Sequence, residues 1–110
     1  MLTINGHTIT LTRGDTMALT IGMVKDGEPY ELQTGDVLRF AISTGRKGDA
    51  GYKLHIAKDV PHDTQTVVIS SDETEALTKK SYCYDVELTY ADGFVDTFIS
   101  DVIKMVGESE

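Results

Sequence analysis

Residues 82–90, with the sequence YCYDVELTY, decide the fold class of this chain. Apolar or aromatic residues occupy every second position of the segment, and the positions between them hold Cys83, Asp85, Glu87 and Thr89. Successive side chains of a β-strand point to opposite faces, so this alternation predicts a strand with one face in a core. The turn sequence Ala91-Asp92-Gly93 follows and predicts a hairpin with a second strand at residues 94–99.

Three more segments show the same period of two, at residues 16–24, 37–43 and 52–57. Nothing comparable occurs at helical spacing, so the whole chain is predicted to be a β protein. The apolar positions of these segments are Met17, Leu19, Ile21 and Met23, then Leu38, Phe40 and Ile42, then Tyr52, Leu54 and Ile56.

Turn residues separate the alternating segments. Asn5-Gly6 predicts a tight hairpin between residues 2–4 and 7–11. Asp26-Gly27 and Thr34-Gly35-Asp36 predict turns before the strand that begins at residue 37. The glycine-rich segment 45–51 predicts a mobile loop. Pro61 predicts the end of the strand that begins at residue 52, because proline cannot donate to a ladder.

One short segment predicts a helical turn near residues 72–77. Ser71 and Asp72 are good N-cap residues, and Asp72 with Glu75 resembles a capping pair. Such a turn commonly connects the two sheets of a sandwich, just before a strand that carries a tyrosine.

Seven or eight short antiparallel strands in about a hundred residues favour a Greek-key β-sandwich, with a small barrel as the alternative. We expect a single domain at residues 1–106 and a flexible tail at residues 107–110, since the last four residues are polar.

Composition argues against several classes of function. The 110 residues carry a formal net charge of -8, which disfavours binding to nucleic acid. No apolar run approaches the roughly 20 residues of a membrane span, so we expect no membrane partner. The chain has one cysteine, Cys83, which excludes an internal disulfide. The first residues lack the pattern of a secretory signal, so we expect synthesis in the cytoplasm.

No catalytic, cofactor-binding or metal-binding residues are predicted. His7, His55 and His62 are far apart and lack the spacing of a metal site. Among possible metal sites, the best candidate is a calcium site formed by Asp92, Asp96 and Asp101. Their spacing does not match an EF-hand loop, so no site is predicted. No local signature of a nucleophile with its base is present, so we expect no enzyme activity.

Two further motifs have structural and functional interpretations. Arg13-Gly14-Asp15 is the tripeptide that integrins recognise, but Gly14 and Asp15 are also good turn residues, and a turn is the favoured interpretation. Exposed aromatic side chains would suit a carbohydrate- or ligand-binding sandwich. The aromatic candidates are Tyr30, Tyr52, Tyr82, Tyr84 and Tyr90. Core packing explains the last three more simply, and one of them is a candidate corner tyrosine with its hydroxyl bonded to the backbone.

The whole chain resembles small structural proteins from the tail regions of phages and prophages of Gram-positive bacteria, in particular the N-terminal domain of the baseplate upper protein family. Four blocks in order carry the resemblance: NGHTITLTRGDT at residues 5–16, GDVLRFAI at 35–42, YCYDVELTYADG at 82–93, and VDTF at 95–98. The resemblance implies an immunoglobulin-like sandwich that serves as an attachment module within a virion. It implies no catalytic residues.

Sequence therefore predicts a non-catalytic virion structural protein, associated with the tail or baseplate, that binds other virion proteins. Its expected location is the virion, after assembly from the bacterial cytoplasm. Pairing with a second copy of the chain is a further expectation. The candidate surface for that pairing is the second face of residues 16–24, where Ala18, Thr20 and Gly22 are small. Ordinary packing beside a neighbouring strand is the alternative explanation of these small residues.

Overall fold

The predicted strand at residues 82–90 lies at the centre of a five-stranded sheet in a computed structural model, which describes residues 2–3, 9–46 and 48–107. The described residues form ten strands and one helix. The strands are β1 (Leu2–Thr3), β2 (Ile9–Thr12), β3 (Met17–Thr20), β4 (Val24–Lys25), β5 (Glu28–Pro29), β6 (Val37–Thr44), β7 (Lys53–Asp59), β8 (Thr66–Ile69), β9 (Ser81–Thr89) and β10 (Val95–Val106). Helix α1 (Ser71–Glu75) lies between β8 and β9.

The five-stranded sheet has the order β2-β10-β9-β6-β7 and is mixed. All its pairs are antiparallel except β2 with β10, so the prediction of purely antiparallel strands is wrong at this edge. The reason lies in the turn that follows β2. This turn takes the chain to the other sheet, so β2 does not pair with β3 and pairs with the last strand instead. A further backbone bond from Arg13 N–H to the Val106 carbonyl extends the pair.

Two smaller sheets complete the β structure. Strands β3 and β8 pair antiparallel, and β1, β4 and β5 form a three-stranded sheet. In the described residues β1 pairs with β4 and β2 pairs with β10, and the hairpin predicted between residues 2–4 and 7–11 stays a prediction. Its turn, Asn5-Gly6, lies outside the described residues. The predicted strand at residues 16–24 is interrupted after Thr20, and the chain resumes as the β4–β5 hairpin around Asp26-Gly27, both in the left-handed region.

One hydrophobic core lies between the five-stranded sheet and the β3–β8 pair. The alternation in β9 is confirmed, because Tyr82, Tyr84, Val86 and Leu88 are all buried. The ring of Phe40 on β6 packs against Tyr84, with 5.7 Å between the ring centroids. The same core contains Met17, Ile21, Met23, Leu38, Ile42, Val67, Ile69, Leu77 and Ile103.

The apolar face predicted for residues 52–57 is only partly correct. Ile56 is half-buried against the core, but Leu54 is exposed. The register between β6 and β7 shifts there, since Ile42 lies opposite Ile56 whereas Ser43 lies opposite Leu54. A bulge inserts an extra residue in β7 and reverses the faces of the residues before it.

The predicted helical turn is confirmed, and it connects the two sheets as expected. Its capping residues differ from the prediction. Ser70 is the N-cap, its hydroxyl accepts the Glu73 N–H, and the Glu73 carboxylate accepts the Ser70 N–H. The Asp72–Glu75 pair therefore does not cap the helix.

Tyr82 is the corner tyrosine that the sequence allowed for. Its buried hydroxyl accepts a hydrogen bond from the backbone N–H of Lys79 at 3.0 Å. The bond ties the entry of β9 to the segment that follows α1. The expected flexibility of residues 107–110 stays a prediction, because residues 108–110 lie outside the described part of the chain.

Candidate protein-binding surface

Three connections of the fold meet at one end of the five-stranded sheet. Residues 30–36 lead into β6, residues 60–65 join β7 to β8, and residues 90–94 join β9 to β10. His62 Nε2 donates to the Asp36 carbonyl at 2.6 Å. Gly35 passes so close to Ala91 that a Cβ on Gly35 would lie 2.7 Å from the Ala91 Cβ. We call residues 30–39, 59–65 and 87–97 together the loop end.

Asp36 joins the first and third of these connections through its side chain. It is only 4% exposed, and its Oδ2 accepts the Tyr30 hydroxyl at 2.6 Å and the Gln33 N–H at 2.8 Å. Burial by itself raises the pKa of Asp36. The hydrogen bonds from Tyr30 and from the backbone of Gln33 and Ala91, with the charge of His62, outweigh burial and lower the pKa below its ordinary value. Asp36 is therefore a buried carboxylate that orders the loops.

A row of aromatic rings runs from Asp36 to the surface. Burial, followed by the hydrogen bond to Asp36, raises the pKa of Tyr30 to about 12. The Tyr30 ring meets Tyr90 edge-on, with 6.2 Å between centroids, and Tyr90 lies 6.1 Å from Phe94. Phe94 is 64% exposed. The inner rings thus hold the position of an outer ring that faces solvent.

Two exposed valines lie at the same end of the sheet, on its outer face. Val37 on β6 and Val95 on β10 both lie opposite Thr89 on β9, so the three side chains share one face. Val95 is 50% exposed and Val37 is 44% exposed. Phe94 lies opposite Tyr90 in the turn, on the core side of the sheet, and we call these three exposed residues, Val37, Phe94 and Val95, together the apolar row. Sequence reasoning did not identify it, because the period-two pattern locates buried faces and not exposed ends.

The turn that presents Phe94 is closed by local hydrogen bonds. The Phe94 N–H donates to Asp92 Oδ1 at 2.9 Å, and the Tyr90 N–H donates to the Phe94 carbonyl at 2.8 Å. A ring held by such a turn loses little freedom on binding a partner.

The net charge of the chain is concentrated at the loop end. Its acidic residues are Glu31, Asp36, Asp59, Asp63, Glu87, Asp92 and Asp96, and its basic residue is Arg39. The whole chain has 18 acidic and 10 basic residues, so the remainder of the chain is nearly neutral. Except for the buried Asp36, these acidic side chains lie at or near the surface of the end of the sheet that carries the apolar row.

The histidines and aspartates considered at the sequence level are not brought together. His55 lies on β7 and bonds to Thr44 Oγ1, His62 lies at the loop end, and His7 falls outside the described residues. Asp101 lies opposite Tyr84, far along β10 from Asp92. Within residues 2–3, 9–46 and 48–107, no group of three or more histidine, cysteine or acidic side chains is placed to hold a metal ion.

The Arg13-Gly14-Asp15 turn packs against the segment that contains α1. Arg13 Nε donates to the Leu77 carbonyl at 2.8 Å, and the Gly14 N–H donates to Thr74 Oγ1 at 3.0 Å. Thr74 is buried, and its hydroxyl donates in turn to the Asp15 carbonyl. These contacts agree with the structural interpretation of the tripeptide, because its arginine is engaged within the fold.

Two other surface features remain. Ala18, Thr20 and Gly22 are exposed, and Ala18 lies opposite the exposed Val68 in the β3–β8 pair. An open cleft of about 230 Å³ lies between β7 and α1. Its lining is His55, Ile56, Glu73, Ala76 and Leu77. A salt bridge of 2.6 Å from Lys58 to Glu73 lies beside this cleft.

No protein-family model matches the chain, and no curated protein is similar to it in sequence. The relationship to baseplate proteins therefore stays a proposal. Among the described residues, no helix is both long enough and apolar enough to span a bilayer.

Proposed function

We propose that this chain is a non-catalytic attachment domain of a phage or prophage virion, associated with the tail or baseplate, and that it binds other virion proteins through the loop end. The observation that carries this proposal is the apolar row, whose members Phe94, Val95 and Val37 are all exposed at one end of the five-stranded sheet. Exposed apolar groups that are contiguous and have a polar surround are typical of protein-binding surfaces.

We also propose an immunoglobulin-like Greek-key topology for the domain. In immunoglobulin domains the penultimate strand pairs with the last strand on one side and with the third strand on the other. A helical turn can precede the penultimate strand, and a corner tyrosine lies near its start. The order β10-β9-β6-β7, the position of α1 and the hydrogen bond of Tyr82 support this assignment. An experimental structure with a different connection between the two sheets would contradict it.

The virion setting is supported by the four sequence blocks that resemble baseplate proteins. The block at residues 35–42 includes most of β6, and the block at residues 82–93 includes β9 and its turn. These blocks thus include the strands that present the loop end. Mass spectrometry and antibody labelling of tail particles induced from the encoding strain test the setting. We expect the chain at a fixed position in the particles, and its absence from intact particles would contradict the proposal.

A ligand-binding module is the alternative, and the ring of Phe94 beside Tyr90 is the observation that favours it. Tyr82 and Tyr84 do not support it because they are buried. A glycan array with the wild-type chain and Phe94→Ser separates the two functions. Binding that Phe94→Ser abolishes would favour the alternative, and an array without binding would remove it.

Self-association remains a proposal for the outer face of the β3–β8 pair. Ala18 and Thr20 are exposed there and carry no charge that would repel a second copy. Light scattering over a range of concentrations is the test. We expect Ala18→Glu to lower the measured mass if this face mediates pairing, and a monomeric wild-type chain throughout would remove the idea.

A further inference from the structure

We infer that the partner of the loop end is a protein surface with an apolar centre and a surround of lysine and arginine side chains. The inference rests on the proposed function, since it names the chemistry of the partner that the same surface binds.

The apolar row gives the partner its central contact. Phe94, Val95 and Val37 project from two strands and one closed turn, and burial of such side chains contributes about 25 cal/mol for each Å² removed from water. Aromatic side chains at the centre of an interface commonly contribute most of its binding energy. We therefore assign Phe94 as the main anchor.

Charges around the apolar row decide the class of partner. Asp92 flanks Phe94 in the turn, and Asp96 and Glu87 lie on the adjoining strands. Arg39 is flanked by Glu87 on one side and by Asp59 on the other, so these three residues together carry a net negative charge. The field that an approaching molecule meets is negative, and it attracts a basic partner and increases the rate of encounter.

The same charges argue against a second copy of the chain at this surface. A two-fold symmetric contact would place one loop end against another, with acidic residues facing acidic residues. Like charges opposed across an interface cost several kcal/mol and select against that partner. Nucleic acids and anionic membranes are disfavoured for the same reason.

Two short synthetic peptides test the inference by nuclear magnetic resonance of the isotopically labelled full chain. One peptide alternates lysine with leucine, and the other alternates glutamate with leucine. We expect the lysine–leucine peptide to shift the backbone signals of residues 91–97 and Val37, and the glutamate–leucine peptide to leave them unchanged.

Charge variants give the matched comparison. Asp92→Asn with Asp96→Asn removes two charges from the loop end, and its amides retain an oxygen that can accept the Phe94 N–H. Asp15→Asn with Asp72→Asn removes two exposed charges elsewhere. We expect the first pair to weaken binding of the lysine–leucine peptide about two- to thirtyfold, and the second pair to leave it unchanged.

Three results would overturn the inference. Equal weakening by both pairs of substitutions would show attraction by net charge alone. Equal binding of both peptides at the loop end would refute the basic partner while supporting an apolar docking surface. If neither peptide shifted the loop end, the partner chemistry would be wrong, whereas the virion function is judged separately by the presence of the chain in tail particles.

Discussion

At the scale of single residues, Asp36 and Tyr30 hold the connections of the loop end in place. The buried carboxylate accepts hydrogen bonds from a side chain and from the backbone of its own loop, and it contacts the turn between β9 and β10. A buried hydrogen-bond donor has lost its bonds to water, so it destabilises the fold when its acceptor in the protein is removed. The order of the loop end should therefore depend on these two side chains.

A double-mutant cycle measures their interaction. We expect Asp36→Ala to lower the free energy of unfolding by about 2–4 kcal/mol and Tyr30→Phe by about 1–2 kcal/mol. The loss of stability in the double variant should be smaller than the sum of the two single losses, by at least about 1 kcal/mol. The reason is that each single substitution already removes the same hydrogen bond. Urea denaturation provides the measurement.

Asp63→Ala is the control, since Asp63 is exposed at the same end and its substitution should change stability by less than about 0.5 kcal/mol. Additive losses would show that the two residues act independently.

Titration of the same pair should make stability depend on pH in opposite directions. The pKa of Tyr30 is raised to about 12, so its contribution is complete below the ordinary pKa of 10 and is lost as pH rises towards 12. The pKa of Asp36 is lowered, so its contribution is present above about pH 4 and is lost as pH falls through the lowered value.

Denaturation across the alkaline range tests the tyrosine directly. We expect wild-type stability to fall between about pH 10 and 12 more steeply than that of Tyr30→Phe, because phenylalanine has no proton to lose. Tyrosinate absorbance should show one fewer late-titrating group in the variant. Identical alkaline slopes for the two proteins would contradict the assigned bond.

At the scale of secondary-structure elements, the start of α1 joins the two sheets through Glu73. Its carboxylate accepts the Ser70 N–H and also pairs with Lys58 Nζ at 2.6 Å. The hydrogen bond from Lys58, followed by that from Ser70, lowers the pKa of Glu73, so its contribution is lost as pH falls through that lowered value.

Replacement of Glu73 by glutamine should lower the free energy of unfolding by about 0.5–1 kcal/mol at neutral pH, because the ion pair is partly exposed. The difference from wild type should shrink in acid, where the carboxylate of the wild-type chain is protonated. Asp72→Asn is the control in the same helical turn, and it should cost at most about 0.3 kcal/mol. A difference that stays constant with pH would contradict the role assigned to the charge.

The hydroxyl of Tyr82 is a second test at this scale. Tyr82→Phe leaves the ring in the core and removes the acceptor of the Lys79 N–H, so we expect a loss of about 1 kcal/mol. Tyr52→Phe is the matched control and should have no measurable effect. Equal stability of Tyr82→Phe and wild type in thermal melts would mean that the corner bond contributes nothing.

Elements were predictable from sequence where a local pattern determines them. The alternation of β9, the turn before β10 and the end of β7 before Pro61 depend on neighbouring residues alone. The parallel partner of β2 was not predictable, because it depends on a strand almost a hundred residues away. The exposure of Leu54 was missed for a similar reason, since a bulge is a property of two strands and not of one.

At the scale of the whole molecule, two properties coincide at one end of the sheet. Most of the net negative charge and three of the exposed large apolar side chains lie there, although they come from segments that are separate in the sequence. The net charge could be counted from the composition. Its accumulation at one end of the sheet could not be predicted, because it depends on which strands are neighbours in the fold. The same holds for the apolar row, because Val37 and Val95 become neighbours only through their common partner Thr89.

The central claim is that the loop end attaches the chain to its partner in the particle. The most direct measurement replaces the gene in the encoding strain by the variant Phe94→Ser/Val95→Ser and quantifies the chain in purified tail particles. Leu54→Ser, at an exposed position near the start of β7 and away from the loop end, is the matched control. We predict that the double variant folds as wild type does but is reduced in particles by about tenfold or more, as expected when a central anchor worth about 2 kcal/mol is removed. Wild-type incorporation of the folded double variant would contradict the claim.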